Sequence, residues 1–368
     1  MEKVELTRKS IEIILQGQSP EGAYIACSNF PTYQYCWFRD GSFCALAMAE
    51  YGYIESVKRF LDWTAKVILR FEAKIVTCIS KKQNGEDILE SEFVHSRFTS
   101  TGEEVPGHWG FNQYDGLGLW LWTVCELIDR FPSLGNSDSL TKASELCAHY
   151  LAVLWNTACS DCWEEHEDGI HTYTLAAIEA GLIRYSEFTS QSEYRVIAST
   201  IDSFIMGHCV ADGCFIKSIG MNMPDANLMG LCEPFCLVSW DDPIFQKTLS
   251  QIQTKLMTPG LHRYETDSYY GGGEWVLLSE WAGWLYAKHG RITDAEIVRH
   301  WAENLASSNG ALPEQIAEHL FFPEMYTLWA KKCGKIAEPL LWSHAMYLLL
   351  AHEIEEVKAN VINRSCFE

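Results

Sequence analysis

The stretch "DGLGLWLWTVCELIDR" (residues 115–130) indicates the fold. Its large apolar side chains recur at the spacing of one buried helical face, at Leu117, Trp120, Leu121, Val124 and Ile128. The same spacing returns in "EWVLLSEWAGWLYAKHG" (274–290) and in "EPLLWSHAMYLLLAHEI" (338–354), whereas the alternation typical of strands is scarce. The sequence therefore predicts an all-α protein.

Twelve helical stretches follow from this periodicity. They lie near residues 3–17, 41–68, 114–132, 138–156, 171–186, 191–207, 225–231, 243–257, 274–289, 292–307, 324–333 and 338–355. Long polar or Gly-rich segments separate them at 18–40, 77–113, 157–170, 208–224, 258–273 and 308–323. A long segment follows roughly every second helix, which predicts a ring of paired helices with its long loops at one end. No Pro/Ser-rich linker divides the chain, so we expect a single domain over residues 1–368.

Composition excludes several classes of partner. The 368 residues carry a formal net charge of −21 without any Lys/Arg block, and such a surface repels nucleic acid. No apolar run approaches the roughly 18 residues that cross a bilayer, so we expect no membrane partner. The opening "MEKVELTRKSIEIILQGQ" (1–18) lacks the apolar region of a secretion signal, and the 14 cysteines are scattered through apolar stretches. We therefore expect reduced thiols and a cytoplasmic protein.

The long segments combine aromatic, cationic and acidic side chains. They read "YQYCWFRDG" (33–41), "PGHWGFNQYDGLG" (106–118), "WEEHEDG" (163–169), "HRYETDSYYGGGEW" (262–275) and "NGALPEQI" (309–316). Any one of these motifs is weak evidence of a binding site, because a lone Arg–Asp pair is more often a solvated pair on the surface. Together they place indole rings beside carboxylates, amides and guanidinium groups at one end of the ring, which is typical of a site for a polyhydroxylated sugar.

These motifs, in this order, resemble the catalytic domain of glucoamylases, glycoside hydrolase family 15. The matching blocks are "YxYxWxRD" from Tyr33, "WGxxQxDG" from Trp109, "WEE" from Trp163, "RYxxDxYYxGG" from Arg263, "EQ" at Glu314 and "LWSHA" from Leu341. The resemblance runs from about Gln18 to the C-terminus. It implies an (α/α)6 barrel of six inner and six outer helices. It also implies an exo-acting hydrolase that releases β-glucose, with inversion, from the non-reducing end of short α-linked oligosaccharides such as maltose or isomaltose.

The resemblance implies two catalytic carboxyl groups, with Glu164 as the general acid and Glu314 as the general base. An inverting glycosidase needs such a pair roughly 6.5–9.5 Å apart, so that one water molecule fits between the base and the sugar. The acid must keep its proton near neutral pH. We expect burial against Trp163 and repulsion from Glu165 to raise its pKa.

The resemblance also implies a binding site for the terminal glucose. Arg39 and Asp40 would hold its hydroxyl groups, and short charged hydrogen bonds of this kind select a chain end. The other implied substrate contacts are Tyr33, which would also hydrogen-bond the base, Trp37, Trp109, Glu165, Arg263, Asp267 and Trp275. Glu165 would bind the next sugar, and Asp267 would orient Arg263. Gln113, Asp115 and Trp342 match the family pattern as structural support.

Some features depart from the family or leave alternatives open. The chain has no room for the N-terminal β-sandwich or starch-binding module of many relatives, which favours short substrates, and Glu274 leaves the α-1,4 or α-1,6 linkage open.

No cofactor or metal is expected, because Cys159 and Cys162, with His166 and His171 nearby, lack a second ligand pair for zinc. The alternatives are a trehalase, an inverting phosphorylase, a sugar epimerase or a sugar-binding protein without activity. Phosphorolysis is disfavoured because "NGALPEQIAEH" contains no Lys or Arg.

Overall fold

A computed structural model describes residues 3–105, 109 and 112–365. This part of the chain contains thirteen α-helices and three antiparallel pairs of two-residue strands. The helices are α1 (Lys3–Gly17), α2 (Phe38–Glu50), α3 (Ile54–Arg70), α4 (Glu72–Asn84), α5 (Asp115–Arg130), α6 (Asp138–Leu154), α7 (Thr172–Thr189), α8 (Ser192–His208), α9 (Pro243–Leu256), α10 (Val276–Lys288), α11 (Ile292–Leu305), α12 (Pro323–Cys333) and α13 (Leu341–Ser365). The strand pairs are Cys36–Trp37 with Arg97–Phe98, Val210–Ala211 with Cys214–Phe215, and Glu274–Trp275 with Gln315–Ile316.

Six elements form an inner ring. In order around the ring they are α2, α5, α7, the 3₁₀ helix Ala226–Leu231, α10 and α13, and each packs on the next. The ring closes because α13 packs on α2. Helices α1, α3, α6, α8, α9 and α11 lie outside it, each against an inner element. The fold is thus an (α/α)6 barrel, which confirms the predicted architecture.

The two rings differ in how apolar their helices are. In the inner helix α10 nearly every residue is buried, including polar ones such as Ser279 and Glu280, and in α7 every residue from Thr172 to Leu182 is buried. A helix with apolar residues on all sides is stable only when it is covered on all sides. The outer helix α3 instead buries a single face, with Val57, Phe60 and Leu61 directed inward. This difference in patterning determines which helices line the barrel.

Three helix predictions need correction. The stretch 41–68 is two helices, since the chain turns between them at Gly52, whose φ of +78° is easily reached only without a Cβ. The predicted loop 77–113 begins inside α4, whose buried face is formed by Ile75, Cys78 and Ile79, and part of that loop, residues 106–108, 110 and 111, lies outside the described residues. The predicted helix 225–231 is a 3₁₀ helix.

The long segments all lie at the same end of the barrel. The first five connect a helix outside the ring to the inner element that follows it. The sixth runs from α11 to α12, which precedes the inner helix α13, so these segments meet where the inner helices begin. The prediction that the loops gather at one end is therefore confirmed. None of the helices in the described ranges is both long and apolar enough to cross a bilayer.

Candidate active site

A cavity of about 350 Å³ opens at the end of the barrel where the inner helices begin. Its wall contains every candidate site residue except Asp267: Tyr33, Trp37, Arg39, Asp40, Trp109, Glu164, Glu165, Arg263, Trp275 and Glu314. Asp267 lies behind the wall and accepts hydrogen bonds from Arg263, at 2.7 Å from Nε and 2.5 Å from Nη2. The structure thus brings together side chains that are spread over 281 positions of sequence, from Tyr33 to Glu314.

The position of each side chain follows from the barrel. Arg39 and Asp40 lie in the first turn of α2, and Glu164 lies in the segment that leads into α7. Trp275 directly precedes α10, and Glu314 pairs with this segment, because the backbone N–H of Val276 donates to the Glu314 carbonyl at 3.0 Å. The starts of neighbouring inner helices are adjacent, so residues near these starts share one cavity.

A buried arginine lies between three carboxylates at the base of this cavity. Arg39 Nη2 is 3.1 Å from Glu164 Oε1 and 3.3 Å from Asp40 Oδ2, and Nη1 is 3.4 Å from Asp115 Oδ2. Burial raises the pKa of Asp40 and of Asp115 to about 6 in each case, against the opposing effect of the Arg39 charge. One guanidinium therefore balances several acids, and the surplus acceptors are suited to sugar hydroxyl groups.

The adjacent glutamates contact different cations. Glu164 has a φ of 58°, in the left-handed region, and its carboxylate accepts from Arg39 and from Gln113 Nε2 at 3.2 Å. Glu165 instead accepts hydrogen bonds from Arg263 Nη2 at 3.2 Å and from the Tyr264 hydroxyl. The repulsion that we expected between the two side chains is thus largely compensated, because each carboxylate lies beside its own arginine.

Glu314 has the driest environment of the predicted catalytic pair. Only 3% of the residue is exposed, and burial raises the pKa of its carboxyl group to about 8. Tyr33, the charge of Arg263 and the side chain of Gln315 oppose this increase. The Tyr33 hydroxyl also lies 3.0 Å from that of Tyr269. Tyr33 thus lowers the pKa of this carboxyl group, which is consistent with the contact predicted between the two side chains.

A buried ion cluster that sequence analysis missed supports the turn with the glutamates. Lys217 Nζ lies 2.7 Å from Asp161 Oδ2 and 2.6 Å from Asp225 Oδ2, and all three side chains are almost completely buried. Asp161 Oδ1 accepts from the backbone N–H groups of Trp163 and Glu165, both at 2.9 Å. Asp225 accepts from the Trp163 indole N–H. Nothing in the spacing of these three residues indicated the cluster.

Three residues have surroundings that the sequence did not predict. Trp342 and Gln113 were interpreted as structural support, yet Trp342 lines the cavity and Gln113 contacts the carboxylate of Glu164. Glu274 is the residue that leaves the linkage preference open. Its buried carboxylate lies 2.8 Å from His319 Nδ1 and accepts from Thr258 at 3.2 Å, so it acts on the loops behind the cavity.

The cysteine pair does not join a cluster of possible metal ligands among the described residues. The cluster found there consists of Asp161, Glu165 and His166, and the carboxylate of Asp161 is already bound by Lys217 and two backbone N–H groups. Cys162 Sγ accepts from Asn227 Nδ2 at 3.0 Å. Both thiols are buried, and Cys162 is part of the cavity wall.

A carboxyl pair set among indole rings and paired arginines, inside a helical barrel, is the arrangement that a glycoside hydrolase requires. Comparison with known proteins identifies the group. The model of glycosyl hydrolases family 15 matches residues 5–352, and the chain belongs to that family.

Relatives and solved structures agree with this assignment. An isomaltose glucohydrolase from Kribbella flavida is 34% identical over 358 residues, which are 95% of this chain and 92% of the relative. A trehalase from Sulfolobus acidocaldarius is 24% identical, over 95% of this chain and 64% of its own length. A solved glycosidase variant in complex with glucose superposes with a TM-score of 0.90 at 33% identity, over 95% of this chain and 96% of that chain.

Proposed function

We propose that this enzyme removes the terminal glucose from short α-linked gluco-oligosaccharides, with Glu164 as general acid and Glu314 as general base. The enzyme is an exo-acting, inverting glucosidase. The observation that supports the two roles is that Glu164 and Glu314, 150 positions apart in sequence, line the same cavity. The Kribbella flavida relative acts on isomaltose by its name, so we propose an α-1,6-linked disaccharide as the preferred substrate, with maltose as the α-1,4-linked alternative.

The reaction requires a proton donor on one side of the sugar and a proton acceptor on the other. Glu164 gives its proton to the glycosidic oxygen, which leaves with the electron pair of the broken bond. A water molecule attacks the anomeric carbon from the opposite face and gives its proton to Glu314. The products are β-glucose and the released sugar. Tyr33 stabilises the ionised form of Glu314 through its hydrogen bond.

The terminal glucose binds at the Arg39 end of the cavity in this proposal. Arg39 and Asp40 are both almost completely buried, and no chain could continue past them into the barrel. Trp37 and Trp163 line the same space, and indole rings pack well on the apolar faces of a pyranose. A cavity closed at this end accepts a chain terminus and excludes an internal sugar. Exo action is the consequence.

The substrate and the stereochemistry are tested together. The purified enzyme is incubated with isomaltose, maltose, trehalose and maltotriose, and NMR follows the anomer of glucose as it is released. We expect β-glucose first, with the fastest turnover on isomaltose. Initial α-glucose would contradict an inverting mechanism, and preference for trehalose would favour the trehalase alternative.

The roles of the two acids are tested by the choice of leaving group. In α-glucosyl fluoride the fluoride ion leaves without being protonated, whereas a disaccharide needs the acid. Glu164→Gln should lower disaccharide turnover by about 10²–10⁴-fold and spare the fluoride substrate, while Glu314→Gln should impair both. This comparison is informative because Arg39 lies beside Glu164, whereas burial raises the pKa of Glu314 to about 8. These surroundings would also suit Glu314 as the acid and Glu164 as the base. If Glu314→Gln spared the fluoride and Glu164→Gln did not, the roles would be exchanged.

A cytoplasmic location remains part of the proposal. All thirteen cysteines among the described residues are free, and most are buried. Thiols in this number persist in a reducing compartment, which supports a substrate taken up as a short oligosaccharide.

A further inference from the structure

Helix α12 lies outside the six helix pairs and forms part of the cavity wall. The segment that carries it connects β-strand Gln315–Ile316 to α13. It is fixed to the loop that follows Arg263. The Phe322 N–H donates to the Gly271 carbonyl at 2.9 Å, and the Tyr270 hydroxyl donates to the Gly334 carbonyl at 2.9 Å. The helix is therefore held at both ends by the loop that follows Arg263.

This helix contributes a distinct group of side chains to the cavity wall. Trp329, Lys332 and Cys333 line the cavity. The Trp329 ring packs edge-on against Tyr269 with centroids 4.9 Å apart, and Tyr269 is itself part of the wall. Lys332 Nζ lies 4.6 Å from the centroid of the Trp329 ring. Neither Trp329 nor Lys332 has a hydrogen bond or ion pair with the buried Arg39 cluster at the other end.

We propose that Trp329 is the platform for the second sugar, the one that leaves, and that Lys332 binds its hydroxyl groups. This inference rests on the proposed function. An indole offers a flat apolar surface for one pyranose face, and its neighbour Lys332, on an exposed and flexible stem, supplies donors for the sugar edge. Glu167, from the segment that carries Glu164, lines the same cavity and supplies acceptors.

The same geometry limits the length of the substrate. The cavity volume of about 350 Å³ is near the lower end of the range of about 300–1,000 Å³ for small-molecule sites. Because α12 is anchored at both ends, the wall that it forms does not readily yield to a third ring. We therefore expect the enzyme to prefer disaccharides to the corresponding trisaccharides.

The experiment compares a substrate that has a second sugar with one that has none. Trp329→Ala is assayed on isomaltose and on α-glucosyl fluoride, whose leaving group does not reach α12. We expect kcat/KM for isomaltose to fall about tenfold, the scale of one aromatic contact. We expect kcat/KM for the fluoride to stay within about twofold, and Trp329→Phe to restore part of the isomaltose activity.

Leu328→Ala is the matched control, because Leu328 is the preceding residue of α12, is 58% exposed and does not line the cavity. It should leave both activities unchanged, and circular dichroism confirms that each variant is folded. An equal loss on both substrates, or no loss on isomaltose, would overturn the role of Trp329. If the unaltered enzyme hydrolysed neither substrate, the proposed function itself would be wrong.

Discussion

At the scale of single residues, the site shows how neighbouring acids become compatible. Glu164 and Glu165 are adjacent in sequence, but the left-handed conformation at Glu164 directs one carboxylate to Arg39 and the other to Arg263. Each carboxylate thus lies beside a positive charge, which offsets the repulsion between the two side chains. The free energy cost of placing two acids side by side is therefore reduced by a backbone conformation that few residues other than glycine adopt.

The hydrogen bond from Tyr33 predicts a shift in the pH dependence of catalysis. The base must be ionised, so kcat/KM falls as pH decreases through the pKa of Glu314, which burial raises to about 8 in the free enzyme. Tyr33 stabilises the ionised form and lowers this pKa. Tyr33→Phe should thus move the acidic limb of the kcat/KM profile to higher pH.

Steady-state kinetics on isomaltose across the pH range measure this shift. Tyr35→Phe serves as the control, because Tyr35 lies in the same segment and its ring packs against Arg97, not against Glu314. If the acidic limb of the kcat/KM profile of Tyr33→Phe moved to lower pH or stayed in place, the hydrogen bond between Tyr33 and the base would be contradicted.

At the scale of elements, the inner helices α5 and α7 approach each other through glycines. A Cβ on Gly118 would lie 2.6 Å from the backbone carbonyl of Ala177, and one on Gly181 would lie 2.6 Å from the carbonyl of Gly118. Backbone atoms cannot move aside as a flexible side chain can. The two glycines therefore set how closely these helices pack, and so how near the Arg39 cluster lies to the segment that carries Glu164.

Gly118→Ala should lower the free energy of unfolding by about 1–3 kcal/mol, the usual cost of overpacking. The matched control is Gly207→Ala in α8, where an added Cβ meets nothing within 4 Å. That change should raise stability by about 0.4–1 kcal/mol, since alanine restricts the unfolded chain. Denaturant unfolding of both variants measures the effect. If Gly118→Ala stabilised the protein as Gly207→Ala does, the close approach of α5 and α7 would be disproved.

At the scale of the whole molecule, the first and last helices close the barrel. Helix α1 packs on α13, and Ser10 Oγ lies 2.9 Å from Nδ1 of the buried His344. His344 Nε2 in turn accepts from the N–H of Leu312, two residues before Glu314. The two ends of the described chain therefore support the same catalytic loop, and we propose a single domain across residues 1–368, of which 1–2 and 366–368 lie outside the described residues.

A closed ring without an internal boundary should unfold as one unit. We expect helical circular dichroism, tryptophan fluorescence and hydrolytic activity to be lost at the same guanidinium concentration, because each inner helix needs both neighbours to cover it. Fourteen tryptophans spread over the chain make the fluorescence a probe of the whole barrel. Transitions at separate concentrations would indicate two domains.

The sequence by itself determined the helical class and the family motifs. These features depend on local periodicity and on residue identity, which are readable along the chain. Helix α4 could also have been predicted, because Ile75, Cys78 and Ile79 follow the spacing of a buried helical face. The break at Gly52 was less visible, since apolar residues continue on both sides of it.

Only the tertiary structure decided how the site residues pair and what covers the cavity. Nothing along the chain connects Lys217 to Asp161, or Arg263 to Glu165, because such pairs depend on which helix starts become neighbours in the ring. The place of Trp329 beside the cavity was equally unreadable, although its helix was predicted. The burial of Glu314 also depends on the tertiary structure. Its pKa is raised because segments distant in sequence cover the carboxyl group, and the residues next to Glu314 in sequence do not reveal this.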